Sequence, residues 1–311
     1  MKPRNVLFTE PRFFPLAQQL APDAPNLEFR TVPFRELSAD DLAWADTWIG
    51  YRLPPMTPES NIRWYHSIAR GIEHVHEHFP LMHEQGAILT NTIGSMPHRI
   101  AEYVVATVLG HVRQLPLYSE LQKQAHWERH TPTTAQDFRV TVVGTGSIGS
   151  EIGRKMAPFV SQVRGLSRSG RAVAGFDAVA TLESGEFVDD ADVLVLVLPL
   201  TPQTEGLVGR TILSKLPGAI VVNVGRGQTL DSGALREAIE AGQVSHAIVD
   251  VFEEEPLPSG DWRWEDSRVT VTPHISALTT LDDVREDFLA NLRALEAGKP
   301  LPTQVELDGW Y

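Results

Sequence analysis

Short apolar, β-branched runs separated by polar, Gly- or Pro-containing turns recur along this chain of 311 residues. NVLF (5–8), NLEFRT (26–31), DTWIG (46–50), RWYHSIAR (63–70) and AILTN (87–91) predict strands. Between the second and third, ELSADDLAWA (36–45) reads as a short helix with Ser38 and Asp41 as its capping box. From Pro97 to about Gln124 runs a long helical stretch in which Ile100, Val104, Val108 and Val112 recur on one face, and Pro116 is expected to kink or split it. The polar loop HTPTTAQD (130–137) follows. VRGLSR (163–168), AIVVNV (219–224), HAIVDVF (246–252) and VTVTP (269–273) are further strands. DVLVLVLP (192–199) is apolar enough to be buried on both faces. DSGALREAIEAGQV predicts a helix capped by Asp231 and ended by Gly242, and a last helix spans about 280–297.

Strands alternating with helical pieces imply an α/β protein with parallel sheets. The second series begins near residue 98 and ends near 275, and the last helix lets the chain return to the first. The expected organisation is a doubly wound dinucleotide-binding domain (98–275) inserted into a discontinuous outer domain (1–97 and 276–311), with a cleft between them. At its centre, RVTVVGTGSIGSEIG (139–153) places Gly144, Gly146 and Gly149 in the spacing G-x-G-x-x-G after a β-branched run and before a helical pattern. Gly144 permits a tight turn, Gly146 lets the backbone approach a pyrophosphate, and Gly149 lets helix and strand pack closely. Free N–H groups at the helix start attract phosphate.

Composition narrows the function. With 27 Lys+Arg against 40 Asp+Glu, a formal charge of −13 argues against nucleic acid or an anionic membrane as partner. The preference for Arg over Lys fits a GC-rich genome or adaptation to salt. No cysteine is present, which removes disulfides, thiolate catalysis and Cys-ligated metals. The basic N-terminus carries no apolar run of signal length and no window suits a membrane span, so a cytoplasmic protein is expected. His74, His76, His78 and His83 invite a metal reading, but HVHEH aligns its histidines only if extended, and a solvated face explains them better.

Three polar residues end successive predicted strands: Arg226 after VVNVG, Glu255 after DVFEE, and His274 after VTP. Redox chemistry on a hydroxy acid needs a cation for the carboxylate, a proton carrier for the hydroxyl and a partner for that carrier. Arg forks onto carboxylates, His titrates near neutrality, and Glu can orient and charge it. Glu253 and Glu254 are nearby alternatives to Glu255.

GTGSIGSEIG, LPLTPQTEGLV (198–208), VVNVGRG (221–227), DVFEEEPLP (250–258) and TPHIS (272–276) together resemble the successive signatures of the D-2-hydroxyacid dehydrogenase family, over about residues 60–295. The resemblance implies a Rossmann-type domain inserted into a flavodoxin-like substrate domain, and an oxidoreductase transferring hydride between NAD(P) and small 2-keto or 2-hydroxy acids. By resemblance, Arg226 binds the substrate carboxylate, His274 is the acid/base on the C2 oxygen, and Glu255 hydrogen-bonds His274. Asp250 would contact the nicotinamide carboxamide. Ser147, Ile148, Leu198, Pro199, Thr204, Val224, Gly225 and Ser276 fall in the cofactor-binding signatures. SIARGIEHV (67–75) resembles the loop that cradles the substrate carboxylate, which brings in Ala69, Arg70 and Gly71, and Tyr51-Arg52-Leu53 matches a substrate-side segment. Trp127 matches an aromatic that related reductases direct into a partner subunit, and a homodimer is expected to cover the valine stripe of the long helix.

One departure bears on the cofactor. NAD-binding members end the second strand of the domain on an acid that holds the ribose 2′-hydroxyl. Here the strand ends Leu166-Ser167-Arg168-Ser169-Gly170-Arg171. Ser167, Arg168 and Arg171 suit a 2′-phosphate, so NADP is expected over NAD. If Arg168 only stacks on adenine, NAD serves as well. GLSRS and the short chain resemble the glyoxylate/hydroxypyruvate reductase branch. Formate dehydrogenases carry Gln in place of the Glu partner and are disfavoured. Phosphite dehydrogenase keeps all three residues and stays open, and a dinucleotide-sensing corepressor would want added tails.

Overall fold

The computed structural model describes residues 2–131 and 133–308, so Pro132 of the polar loop lies outside the described residues. Two compact units divide the chain: residues up to Ser95 together with those from Thr279, and residues Met96–Leu278.

The first unit holds β1 (Asn5–Phe8), α1 (Pro15–Leu20), β2 (Glu28–Thr31), α2 (Ala39–Trp44), β3 (Thr47–Gly50), β4 (Trp64–Ser67), α3 (Phe79–Glu84) and β5 (Ile88–Asn91). Its five parallel strands run in the order β2-β1-β3-β4-β5, the flavodoxin-like arrangement. Alternate strand residues serve opposite faces. Val6, Phe8 and Trp64 pack with Leu16 and Leu20 of α1, whereas Leu7, Trp48 and Tyr65 pack with Leu42 and Met82. Ser38 and Asp41 form the capping box of α2 as their spacing predicts.

The second unit opens with α4 (Met96–Val112) and α5 (Leu115–Lys123). The helix divides at Gln114, which takes φ 56°, and Pro116 stands in the first turn of α5, where its missing N–H does no harm. Next come β6 (Arg139–Val143), α6 (Ser147–Met156), β7 (Gln162–Ser167), β8 (Ala178–Thr181), β9 (Val193–Leu196) and α7 (Arg210–Leu213). β10 (Ala219–Asn223), α8 (Ser232–Glu240), β11 (Val244–Val249) and β12 (Val269–Val271) complete the unit. α9 (Leu281–Glu296) returns the chain to the first unit, where Phe288 stacks on Trp64 with ring centroids 4.9 Å apart.

The second sheet is parallel throughout, in the order β8-β7-β6-β9-β10-β11-β12. Its direction of winding reverses between β6 and β9, where a doubly wound sheet opens a crevice beyond the strand ends. The valine stripe of α4 corrects an expectation. Val104 and Val108 are fully buried, packed with Val140, Val142 and Ile152 of the same unit, so the stripe needs no second subunit to cover it.

Candidate active site

The turn after β6 shows why its glycines stand where they do. Gly144 has φ 110°, and a Cβ on Gly149 would lie 1.9 Å from the Gly144 carbonyl oxygen. A Cβ on Gly146 would meet nothing within 4 Å, so the backbone faces open space at the N-terminus of α6. Ser147 and Ile148 form the first turn of that helix, Ser147 exposed and Ile148 packed toward the core. Exposed amides and the positive helix end together suit a pyrophosphate.

At the end of β7, the Ser167 hydroxyl accepts the Gly170 amide at 3.1 Å and so keeps its own proton to donate. Arg168 and Arg171 are exposed, and among the described residues neither guanidinium forms an ion pair. Two open cations and a donor hydroxyl, with no acid, fit a phosphate better than a ribose diol. In the segment after β9, the Thr204 hydroxyl donates to the Pro199 carbonyl at 2.7 Å and accepts the Thr201 amide at 2.8 Å. Thr204 therefore shapes this turn. The side chains of Leu198 and Val224 are buried in the core, and the Leu198 backbone packs against Gly225, where a Cβ would lie 2.7 Å from the Leu198 carbonyl oxygen.

The three polar strand ends follow. After β10, Asn223 is buried, accepts the Gly225 amide and donates to the Arg226 carbonyl, which fixes the turn carrying Arg226. The Arg226 side chain is half-buried, with its Nη1 donating to the Gly225 carbonyl at 2.8 Å. Beyond β11, Glu255 accepts the Phe252 amide on Oε1 at 2.9 Å and meets His274 Nδ1 with Oε2 at 2.8 Å. A carboxylate can only accept, so Nδ1 carries the proton and Nε2 is left for a ligand. The alternatives to Glu255 separate: Glu253 pairs with Arg263 at 2.9 Å, and Glu254 is an exposed loop residue. His274 itself adopts φ 52°, uncommon for a residue with a side chain.

Asp250 is fully buried beneath His274. Its carboxylate accepts the Thr272 hydroxyl at 2.5 Å and the Ile275 and Ser276 amides at 2.9 Å each, and its carbonyl accepts the His274 amide at 2.9 Å. The carboxylate that the resemblance gives to the nicotinamide is thus engaged by the chain's own donors. This grip on the His274 loop was not read from the sequence; neither were the roles of Asn223 and Thr272, which looked like ordinary strand residues.

In the first unit, Ala69, Arg70 and Gly71 follow β4. The Ala69 amide bonds Ser67 Oγ at 3.2 Å and the Arg70 carbonyl accepts Asn91 Nδ2 at 2.7 Å, so this loop is tied to its own sheet. Tyr51 stacks on His74 with ring centroids 4.1 Å apart. Among the described residues no three His, Asp or Glu side chains gather as a metal site. A cavity of about 280 Å³ lined by His111, Asp192, Gly218 and Ser245 lies where strands of the second sheet begin, away from the polar ends just described.

Comparison with known proteins agrees with this geometry. The family model "D-isomer specific 2-hydroxyacid dehydrogenase, NAD binding domain" matches residues 105–276, more than half of the chain. A glyoxylate/hydroxypyruvate reductase A from Yersinia enterocolitica is 37% identical over 206 residues, 66% of each protein, so the match stops just short of two thirds of that relative's length. A D-isomer specific 2-hydroxyacid dehydrogenase family protein from Aeromonas salmonicida superposes with a TM-score of 0.89 at 31% identity, over 99% of this chain and 100% of the other. A D-isomer specific 2-hydroxyacid dehydrogenase from Xanthobacter autotrophicus, in complex with NADPH and MES, gives a TM-score of 0.87 at 28% identity over 100% of both chains. With the glycine turn, the strand order and the polar strand ends in place, the chain belongs to the D-isomer-specific 2-hydroxyacid dehydrogenase family.

Proposed function

We propose that the protein is an NADPH-preferring reductase of small 2-keto acids, with glyoxylate and hydroxypyruvate as first-choice substrates. The observation that carries the reading is the His274–Glu255 pair: a proton carrier on a strand end, held by an acid that is itself fixed by the Phe252 amide. When bound, the nicotinamide supplies hydride to the keto carbon. The chain's own work is to hold the substrate and move one proton. Arg226 takes the carboxylate as a bidentate partner and polarises the C2 oxygen, and Nε2 of His274 donates the proton that becomes the hydroxyl hydrogen. Glu255 stabilises the positive ring before transfer and keeps it aligned. Ala69, Arg70 and Gly71 are proposed to hold the carboxylate from the outer domain, as in the family pattern.

The cofactor preference rests on Ser167, Arg168 and Arg171 and on the NADPH carried by the Xanthobacter relative; NAD is the second cofactor. A homodimer is proposed on the apolar side chains exposed in and beyond α5, namely Leu115, Leu117 and Trp127, the last 86% exposed. The reaction draws on the soluble cofactor pool, which argues for the cytoplasm. Steady-state screening of 2-keto acids of increasing size against NADPH and NADH tests the reading, with phosphite and NADP in a parallel assay. We expect oxidation of NADPH by the two-carbon and three-carbon acids. Oxidation of neither cofactor by any keto acid would overturn the proposal, and reduction of NADP by phosphite alone would move the protein to another reaction on the same residues.

A further inference from the structure

The geometry points to Tyr103 as a positioning residue that acts through Thr272 and Asp250 to hold the His274 loop in its left-handed conformation. The inference rests on the reading of His274 as the acid/base.

The direction of the hydrogen bonds is fixed by what each atom can give. Asp250 Oδ1 already accepts the Ile275 amide, so at 2.5 Å from Thr272 Oγ1 it is the acceptor and the threonine is the donor. That spends the only proton of the Thr272 hydroxyl. Tyr103 Oη, 2.6 Å from the same Oγ1, must then donate to it. Burial, aided by the nearby Asp250 charge, pushes the phenol up to about 12, so its proton stays in place through the neutral range. The chain runs one way, from Tyr103 to Thr272 to Asp250.

Its far end encloses His274. Asp250 holds the amides of Ile275 and Ser276 with its carboxylate and the amide of His274 with its carbonyl. A residue with a Cβ is disfavoured in the left-handed region and persists there only where its surroundings over-determine it. Here those surroundings are Asp250 and the strand end at Thr272. Tyr103 is their attachment to something rigid: it sits on the second turn of α4, between the fully buried Ala101 and Val104, on a helix packed into the core of the unit. Glu255 orients the ring, while Tyr103, Thr272 and Asp250 fix the backbone from which the ring hangs.

The test uses the full-length protein and NADPH oxidation with hydroxypyruvate, or with whichever keto acid the screen selects. Tyr103→Phe removes one oxygen and should lower kcat about five- to tenfold while leaving the KM for NADPH within about twofold, since one neutral hydrogen bond is lost and no cofactor contact changes. Thr272→Val should lose more, and Thr272→Ser, which keeps the hydroxyl, should recover most of that loss. Because Tyr103 acts through Thr272, the double variant Tyr103→Phe/Thr272→Val should be no slower than Thr272→Val alone. Thermal melting and NADPH titration establish that each variant is folded. Wild-type kcat in Tyr103→Phe, or effects that multiply in the double variant, would overturn the inference. His274→Ala, assayed alongside, separates the two levels. If it turns over near-normally, the acid/base reading itself fails; if it is inactive while Tyr103→Phe runs at full speed, only the relay fails.

Discussion

His66 lies in the first unit with no exposed surface, roughly perpendicular to the stacked rings of Trp64 and Phe288. Its Nδ1 lies 2.8 Å from Thr90 Oγ1 and its Nε2 3.3 Å from Thr92 Oγ1, so the ring is served by hydroxyls and by no carboxylate. Burial alone pushes it down from 6.5 to about 3. The unfolded chain therefore takes up a proton first as the solution is acidified. Stability from the neutral ring is fully present above pH 6.5 and is lost as pH falls from there toward 3. At pH 5 the unfolded histidine is one and a half units below its own pKa, which at about 1.4 kcal/mol per unit makes the loss about 2 kcal/mol relative to pH 8. Urea denaturation of wild type and His66→Gln at pH 8, 6.5 and 5 isolates this amount, because all other titrations cancel in the difference. The wild type should lose about 2 kcal/mol more than the variant between the outer values. Parallel curves for the two proteins would refute the argument that His66 stays neutral in the fold.

Three further outcomes follow from the second unit. His246, stacked on His111 at 4.0 Å and lowered to about 4 chiefly by burial, should give the same sign of pH dependence: His246→Gln should flatten the acid loss below pH 6.5, and an unchanged slope would count against it. Gly149→Ala forces a methyl against a backbone oxygen that cannot rotate away, so NADPH binding should weaken at least tenfold with a fall in Tm; wild-type values for both would sink the account of the turn. Arg168→Ala should raise the KM for NADPH about tenfold and leave that for NADH nearly unchanged, as loss of one exposed charge-assisted contact requires, whereas equal changes for both cofactors would make Arg168 an adenine-stacking residue.

What the sequence makes legible in this chain is local or repetitive. Strands such as β9 and β10 announce themselves because both faces are buried, and the glycine turn because its demands fall within six residues. The polar ends at Arg226, Glu255 and His274 are legible because a parallel sheet delivers successive strand ends to one edge. Periodicity could say that one face of α4 is apolar but not what covers it, and the cover proved to be the unit's own sheet rather than a partner. Hydrogen bonds between distant positions leave no trace in a pattern at all. Tyr103 and Thr272 are 169 residues apart, and Asp250 and Ser276 are 26 apart. The short helices α1 and α3 escaped for a simpler reason: six residues each are too few to display a helical period.

The placement of His274 follows from two separate constraints that meet in one residue. An imidazole that passes a proton to a keto oxygen must have its free nitrogen fixed in direction and in place, and no single bond can do both. The bond from Nδ1 to Glu255 sets the direction of Nε2, and Glu255 can set it only because its other oxygen is tied to the Phe252 amide. Place is set from below, by an Asp250 that holds the backbone on both sides of the ring. At His274 the left-handed backbone meets both at once, its amide bonded to the Asp250 carbonyl while its ring reaches Glu255. A looser loop would keep the residue types and lose the geometry. The buried carboxylate beneath the ring is therefore as much a condition of the proposed chemistry as the exposed one beside it.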